Sequence, residues 1–124
     1  METVELEEKI YQAFLNDAEL MGLLPDREKS VFHLQAPADD YPRNPIIVYT
    51  CISDVPVLSG DDLEALHRVI VRIHIITENG VYRGIYGAIK RILSAIGFSR
   101  YQTTPISGRG KKILAADFKI IIGG

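Results

Sequence analysis

The chain has 124 residues, of which 47% are hydrophobic and 24% are charged, and its net charge is −2. These are ordinary values for a globular protein, so they exclude a disordered chain, and the length predicts one domain over residues 1–124. The near-neutral charge argues against a dedicated nucleic-acid binder, because such domains are usually basic.

The first third of the chain predicts two helices, a short strand and a loop. Residues 4–15 carry apolar side chains at intervals of four, which indicates an amphipathic helix with its glutamates near the N-terminus. The segment DAELMGLL predicts a second, short helix. Residues 31–35 predict a short strand, and the proline-rich residues 35–45 predict a loop longer than most connections.

The middle of the chain predicts two strands joined by a turn at residues 54–62. Residues 46–53 have apolar side chains on both faces, which indicates cover on both sides or an interface. Residues 63–76 predict a long strand with aliphatic residues at a strict period of two: Val69, Val71, Ile73 and Ile75. The other face of that strand alternates aliphatic residues with cationic or titratable ones: Arg68, Arg72 and His74.

The last third predicts a helix over residues 81–96, a strand over 98–103, a flexible basic loop over 104–112 and a strand over 113–122. In the last strand Asp117 belongs to the face away from the apolar one. Hairpin-length connections favour antiparallel pairing. The sequence therefore predicts an α+β fold, a mainly antiparallel sheet of about five strands with two main helices packed on it, in the order αα-βββ-α-ββ.

No catalytic or metal-binding pattern is recognisable on this topology. The sequence lacks a C-x-x-C or H-x-x-x-H pair, and Cys51 lies in the middle of a predicted strand, where a small buried apolar residue is usual. The SGRGKK segment lacks the spacing of a phosphate-binding loop and precedes a strand instead of a helix. We therefore predict no catalytic residue, no metal, no cofactor and no enzymatic activity.

The location of the protein follows from what the sequence lacks. No apolar stretch approaches the roughly 18 residues that span a bilayer, and the acidic start METVELEEKI is unlike a signal peptide. One cysteine cannot form an internal disulfide, which fits a reducing compartment. We expect a protein that is cytosolic or assembled in the cytosol.

The candidate partner-binding residues lie on the polar loops and on the mixed face of the long strand. Loops of this length and polarity often order on binding. For the strand face, two interpretations stay open: arginine stems that cover apolar neighbours with their heads in water, or a subunit interface. The candidate residues are Asp39, Asp40, Tyr41, Arg43, Arg68, Arg72, His74, Arg109, Lys111 and Lys112.

The order of these elements resembles the tail-terminator and tail-completion proteins of long-tailed phages and prophages, over nearly the whole chain. The segments that carry the resemblance are LEEKIYQAFLNDAEL, MGLLP, NPIIVYTCIS, RVIVRIHIIT and GVYRGIYGAIKRILSAIG. The resemblance implies a non-enzymatic structural protein that forms a ring, typically six-fold, on the head-proximal end of the tail tube. Implied partners are further copies of the chain, the tail tube protein and the head-completion or connector protein, first in the host cytoplasm and then in the virion tail.

Two alternatives stay open beside this interpretation. One is a small-ligand-binding or regulatory module on a ferredoxin-like sheet. The other is an enzyme whose active site forms between subunits, since the polar residues of one chain are scattered. A membrane partner is not expected, and nucleic-acid binding ranks last.

Overall fold

The computed structural model describes residues 2–35, 44–57, 66–108 and 110–123. Three α-helices and five strands lie in these ranges. In chain order they are α1 (Thr3–Leu15), α2 (Ala18–Leu23), β1 (Val31–His33), β2 (Ile46–Pro56), β3 (Leu66–Thr77), α3 (Arg83–Ile96), β4 (Ser99–Gly108) and β5 (Lys111–Gly123), with a 3-10 turn at Arg27–Ser30 before β1. The predicted α+β class and the order αα-βββ-α-ββ are confirmed.

The strands form one mixed sheet in the order β1-β2-β3-β5-β4. Strand β1 runs parallel to β2, and the three other pairs are antiparallel. The register shifts once in β2, between Cys51 and Ser53, and once in β4, between Arg100 and Gln102. Such bulges bend a strand locally and re-aim the side chains beyond them.

The helices of the described ranges pack on one face of the sheet and form the main core with it. The period-two residues of β3 are the centre of that core, because Val69, Val71, Ile73 and Ile75 are all 0% exposed. Helix α1 contributes the stripe predicted from its spacing: Leu6, Ile10 and Phe14. Burying such side chains removes apolar surface from water and supplies most of the driving force for folding.

The two long helices pack over different strands of the sheet and contact each other. Helix α1 packs on β2, where the Tyr11 ring stacks on the Tyr49 ring at a centroid distance of 6.1 Å. Helix α3 contacts β4. In the sheet, strands β3 and β5 lie between β2 and β4.

Local sequence signals set the ends of the helices. The Glu2 amide donates to Glu5 Oε1 at 3.0 Å before α1, and the Leu20 amide donates to Asp17 Oδ1 at 2.9 Å in α2. Both bonds satisfy amides that the first helical turn leaves unpaired. Helix α3 ends at Gly97, which has a left-handed φ of 119°. No helix of the described ranges is both long and apolar enough to cross a bilayer.

Two predicted loop boundaries were wrong. Residues 104–108 and 111–112 belong to β4 and β5, so the predicted loop over residues 104–112 is largely a hairpin. The sequence contains Pro105 there, and an edge strand tolerates the missing amide of a proline. Residues 54–56 likewise continue β2, whereas residues 58–65 lie outside the described ranges.

Candidate partner interface

The sheet has a second face, which the helices of the described ranges leave uncovered, and we call it the open face. Strand register places its side chains in rows that cross the sheet. Four of these rows are Val55–Arg68–Ile121, Thr50–Arg72–Asp117–Gln102, Val48–His74–Ala115–Thr104 and Ile46–Ile76–Ile113–Ile106. The three candidate residues of β3 therefore lie on one surface, as predicted.

Arg72 is held by a carboxylate of the neighbouring strand. Its Nε donates to Asp117 Oδ1 at 2.8 Å and its terminal nitrogen donates to Oδ2 at 2.9 Å, a bidentate pair. Gln102 also donates to Asp117 Oδ2, at 3.0 Å. Because Asp117 is 2% exposed, its charge depends on these donors. Asp117 thus lies on the face of β5 away from the apolar one, as predicted, but it is buried.

The pKa values of this network follow from its geometry. Burial raises the pKa of Asp117, but the hydrogen bonds from Arg72 and Gln102 outweigh burial and hold the pKa below its usual value. Burial lowers the pKa of His74, as does the neighbouring charge of Arg72, while Asp117 opposes them in part. His74 is therefore neutral at pH 7, and Arg72 is neutralised inside the chain.

Arg68 lies in a different environment. Register places it between Val55 and Ile121, whose exposed fractions are 37% and 56%. Its Nε is buried and finds no acceptor among the described residues. A buried guanidinium N–H without an acceptor is unfavourable, so Arg68 has an unused donor beside two exposed apolar side chains.

The loop candidates are only partly within the structure. Asp39, Asp40, Tyr41, Arg43 and Arg109 lie outside the described residues. The two others, Lys111 and Lys112, lie at the start of β5, away from the Arg68 row.

Both lysines are engaged with the turn that follows β3. Lys111 Nζ lies 3.6 Å from Glu78 Oε1. Lys112 is exposed, and its stem packs on Gly80, where an added Cβ would lie 3.1 Å from the lysine Cδ. The Lys112 carbonyl accepts the Thr77 hydroxyl at 2.9 Å. The start of β5 is therefore anchored to the turn after β3, and Lys112 is exposed.

One other polar cluster joins α1 to the β2–β3 pair. Thr3 Oγ1 donates to Asp54 Oδ2, and His67 Nδ1 lies 2.5 Å from Asp54 Oδ1. The carboxylate is the central group here, and the hydrogen bonds from Thr3 and His67 lower its pKa. A hydroxyl nucleophile needs a base beside it, and a carboxylate of lowered pKa is a weak one.

Two further polar features belong to α1 and β2. Glu7 Oε2 accepts the Cys51 amide at 3.1 Å and lies 2.9 Å from His33 Nε2, which ties α1 to the sheet edge. Burial raises the pKa of the Cys51 thiol, so this thiol is protonated at neutral pH. Among the described residues, no three His, Cys, Asp or Glu side chains converge as a metal site would require.

Sequence reasoning did not find Asp117 and Gln102 as partners of Arg72. The available signal was that Arg72 and Asp117 each lie on the polar face of their strand. That signal predicts a contact only when β3 and β5 are known to be neighbours with Arg72 opposite Asp117.

Comparison with known proteins gives a match to solved structures but not to family models or curated sequences. No protein-family model matches the chain, and no curated protein sequence does. The fold matches a chain from a solved structure of the virion of a native gene transfer agent particle, with a TM-score of 0.62. The alignment covers 93% of this chain and 92% of that chain at 14% sequence identity. This likeness establishes a common fold over nearly the full length of both chains.

Proposed function

We propose that this chain is a structural subunit of a phage-type virion that ends the tail tube as a ring and joins it to the head connector. The observation that carries the proposal is the fold likeness to a chain of a gene transfer agent virion, which extends over nearly all of both chains. The resemblance of the sequence to tail-terminator proteins is independent support, because it rests on the order and type of residues.

The edges of the sheet suit such assembly. Strand β4 is an edge strand, and residues 99–107 are all exposed. The opposite edge strand, β1, spans only Val31–His33, so the far part of β2 has no strand beyond it among the described residues. Unpaired strand edges favour the addition of a neighbouring chain, and a ring requires contacts between two different surfaces of one subunit.

The proposed partners are further copies of this chain, the tail tube protein and the head-completion or connector protein. The chain would assemble in the host cytoplasm and remain in the virion tail. We propose a role through surface contacts alone, without a catalytic step or a cofactor. The candidate contacts are Arg68 with its exposed apolar neighbours, and the three basic residues Arg109, Lys111 and Lys112.

The test is deletion of the gene in its phage, followed by electron microscopy of the tails. We expect tubes of uncontrolled length without attached heads, and rescue by the wild-type gene. Tubes of normal length with normal head attachment in the deletion strain would refute the proposal. A small molecule that raised the melting temperature of the purified chain would then favour the ligand-binding alternative.

Variants at these three basic residues refine the test. The triple substitution Arg109→Ala, Lys111→Ala and Lys112→Ala should weaken rescue while the melting temperature stays nearly unchanged. A matched control removes three exposed cations elsewhere, at Lys9, Lys29 and Arg83. Equal rescue by both triple variants would exclude these three basic residues as a contact and leave the terminator role intact.

A further inference from the structure

Helix α3 and strand β4 enclose a groove on the flank of the molecule. The groove has a volume of about 540 Å³, and the rings of Phe98 and Phe118 line it together with Gly87. Its other lining residues are hydroxyl-bearing or cationic: Ser94, Ser99, Lys90, Arg91 and Arg100. The surface is therefore a basic groove with aromatic rings among its lining.

The cations of this groove are not equivalent. Arg91 lies 2.9 Å from Asp17 and 2.9 Å from Glu19, so two carboxylates of the same chain neutralise it. Lys90 lies over the Tyr86 ring, with its Nζ 5.3 Å from the ring centroid, and is exposed. Arg100 is exposed at the start of β4. Lys90 and Arg100 therefore supply the net positive charge of the groove.

The complementary surface lies on α1, which packs on β2. The first turns of α1 carry Val4, Glu5 and Glu8, all exposed, and Val4 is 76% exposed. Residues three and four apart lie on one side of a helix, so these three side chains form one surface, an apolar group beside two carboxylates. It matches a groove that offers two cations beside aromatic rings.

The positions of the two surfaces decide what kind of contact they make. Helix α1 packs on β2, whereas the groove borders β4, and three strand spacings, about 14 Å, separate β2 from β4. The two surfaces therefore lie over different strands of one subunit, and among the described residues no ion pair joins Glu5 or Glu8 to Lys90 or Arg100. Complementary surfaces of this kind join copies head to tail, which closes into a ring when the rotation between copies permits.

We propose that the first turns of α1 from a second copy of this chain dock in the α3–β4 groove, with Glu5 and Glu8 facing Lys90 and Arg100. This contact would be the subunit interface of the proposed ring, so the inference rests on the proposed function. It adds to that function the two surfaces in contact, the head-to-tail direction of the contact and the segment that occupies the groove.

Charge reversal tests the contact on the purified full-length chain. One variant carries Lys90→Glu and Arg100→Glu, and the other carries Glu5→Lys and Glu8→Lys. Each should self-associate about tenfold or more weakly than the wild type in sedimentation, because attraction becomes repulsion at every contact. An equimolar mixture should recover association, since each groove then meets an α1 of opposite charge. Reversal of Lys29 and Arg83, outside both surfaces, is the control and should change nothing.

Carbodiimide coupling detects the same contact when association is weak. It joins a carboxylate directly to a lysine, so the wild type should give an intermolecular peptide linking Glu5 or Glu8 to Lys90. High salt should suppress this product by screening the exposed charges. Absence of the product at the highest soluble concentration, or a mixture that stays dissociated, would overturn the inference.

The two proposals fail separately. If the reversed variants associate normally while gene deletion still gives tubes of uncontrolled length, the ring uses other surfaces and only the inference is wrong. If tube length is normal in the deletion strain while charge reversal and mixing behave as expected, the chain self-associates head to tail but is not a terminator.

Discussion

The substitution Arg72→Met tests the buried pair at the centre of the open face. Methionine keeps most of the apolar stem and removes the guanidinium, which leaves Asp117, 2% exposed, with Gln102 as its remaining side-chain donor among the described residues. Removing one partner of a buried ion pair typically costs about 3 to 5 kcal/mol. The Arg72 side chain is itself 35% exposed, so water already screens the pair in part. We therefore expect a loss of about 2 to 3 kcal/mol.

Urea denaturation at pH 7 measures this loss. With an m value of about 1 to 3 kcal/mol per M, the midpoint should fall by about 0.7 to 3 M. A double variant, Arg72→Met with Asp117→Asn, should be more stable than the single variant, because no unpaired charge stays buried. A loss below about 0.5 kcal/mol, the range typical of surface substitutions, would show that the pair does not stabilise the sheet.

The pH dependence gives an independent check with a fixed sign. In the wild type the pKa of Asp117 is lowered, so its contribution is present above the pKa of the unfolded chain and is lost as the pH falls through the folded-state pKa. In Arg72→Met, burial dominates and raises the pKa of Asp117, so protonation removes the unpaired buried charge as the pH falls. The difference in the free energy of unfolding between the wild type and Arg72→Met should decrease from pH 7 towards about pH 4. An equal gap at both values would contradict the assigned cause.

Two further predictions concern backbone positions. Thr77 is 2% exposed, and its hydroxyl donates to the Lys112 carbonyl at 2.9 Å and accepts the Gly80 amide at 2.8 Å. Thr77→Val should therefore lower the free energy of unfolding by about 1 to 3 kcal/mol, because the carbonyl and the amide both lose their partner. Thr77→Ser, which keeps the hydroxyl, should recover most of this loss in the same urea titration. Gly97→Ala should destabilise by about 1 to 2 kcal/mol, since φ is +119° and the new Cβ would lie 3.3 Å from Ile120. Gly87→Ala, within α3 and with nothing within 4 Å of the new Cβ, should instead stabilise by about 0.5 to 1 kcal/mol; a melting-temperature shift of the same sign for both alanines would refute this assignment.

The elements that the sequence predicted best are those whose pattern is set by one buried face. Strand β3 illustrates this, because its alternation of residue types indicates that one face is buried. The face with Val69, Val71, Ile73 and Ile75 is the centre of the core. Helix α1 is similar, since its apolar spacing of four needs no knowledge of its partner. The start of α3 was placed two residues early at Val81, which is 71% exposed and precedes the helix.

The features that could not be predicted depend on which strands become neighbours. Glycine, proline and basic residues near the β4–β5 turn indicated a loop, yet both strands continue because their backbone groups pair across the hairpin. The pairing of Arg72 with Asp117 depends on β3 and β5 lying side by side although α3 and β4 separate them in sequence. No local pattern encodes that adjacency.

The open face shows why arginines on one strand do not share a role. Arg72 is neutralised by Asp117, so this row can lie in water or against a partner without leaving an unpaired charge. Arg68 lies between two exposed apolar side chains, and its buried Nε has no acceptor among the described residues. A carboxylate of a partner protein would accept from this Nε, and apolar side chains of the same partner would cover Val55 and Ile121. Loss of Arg72 should therefore affect folding first, whereas Arg68 is the open-face cation that we propose for contact with a partner. Because the row of Arg68 and the α3–β4 groove are separate surfaces, the two proposed contacts, with a second copy in the groove and with another protein on the open face, would not compete for one surface.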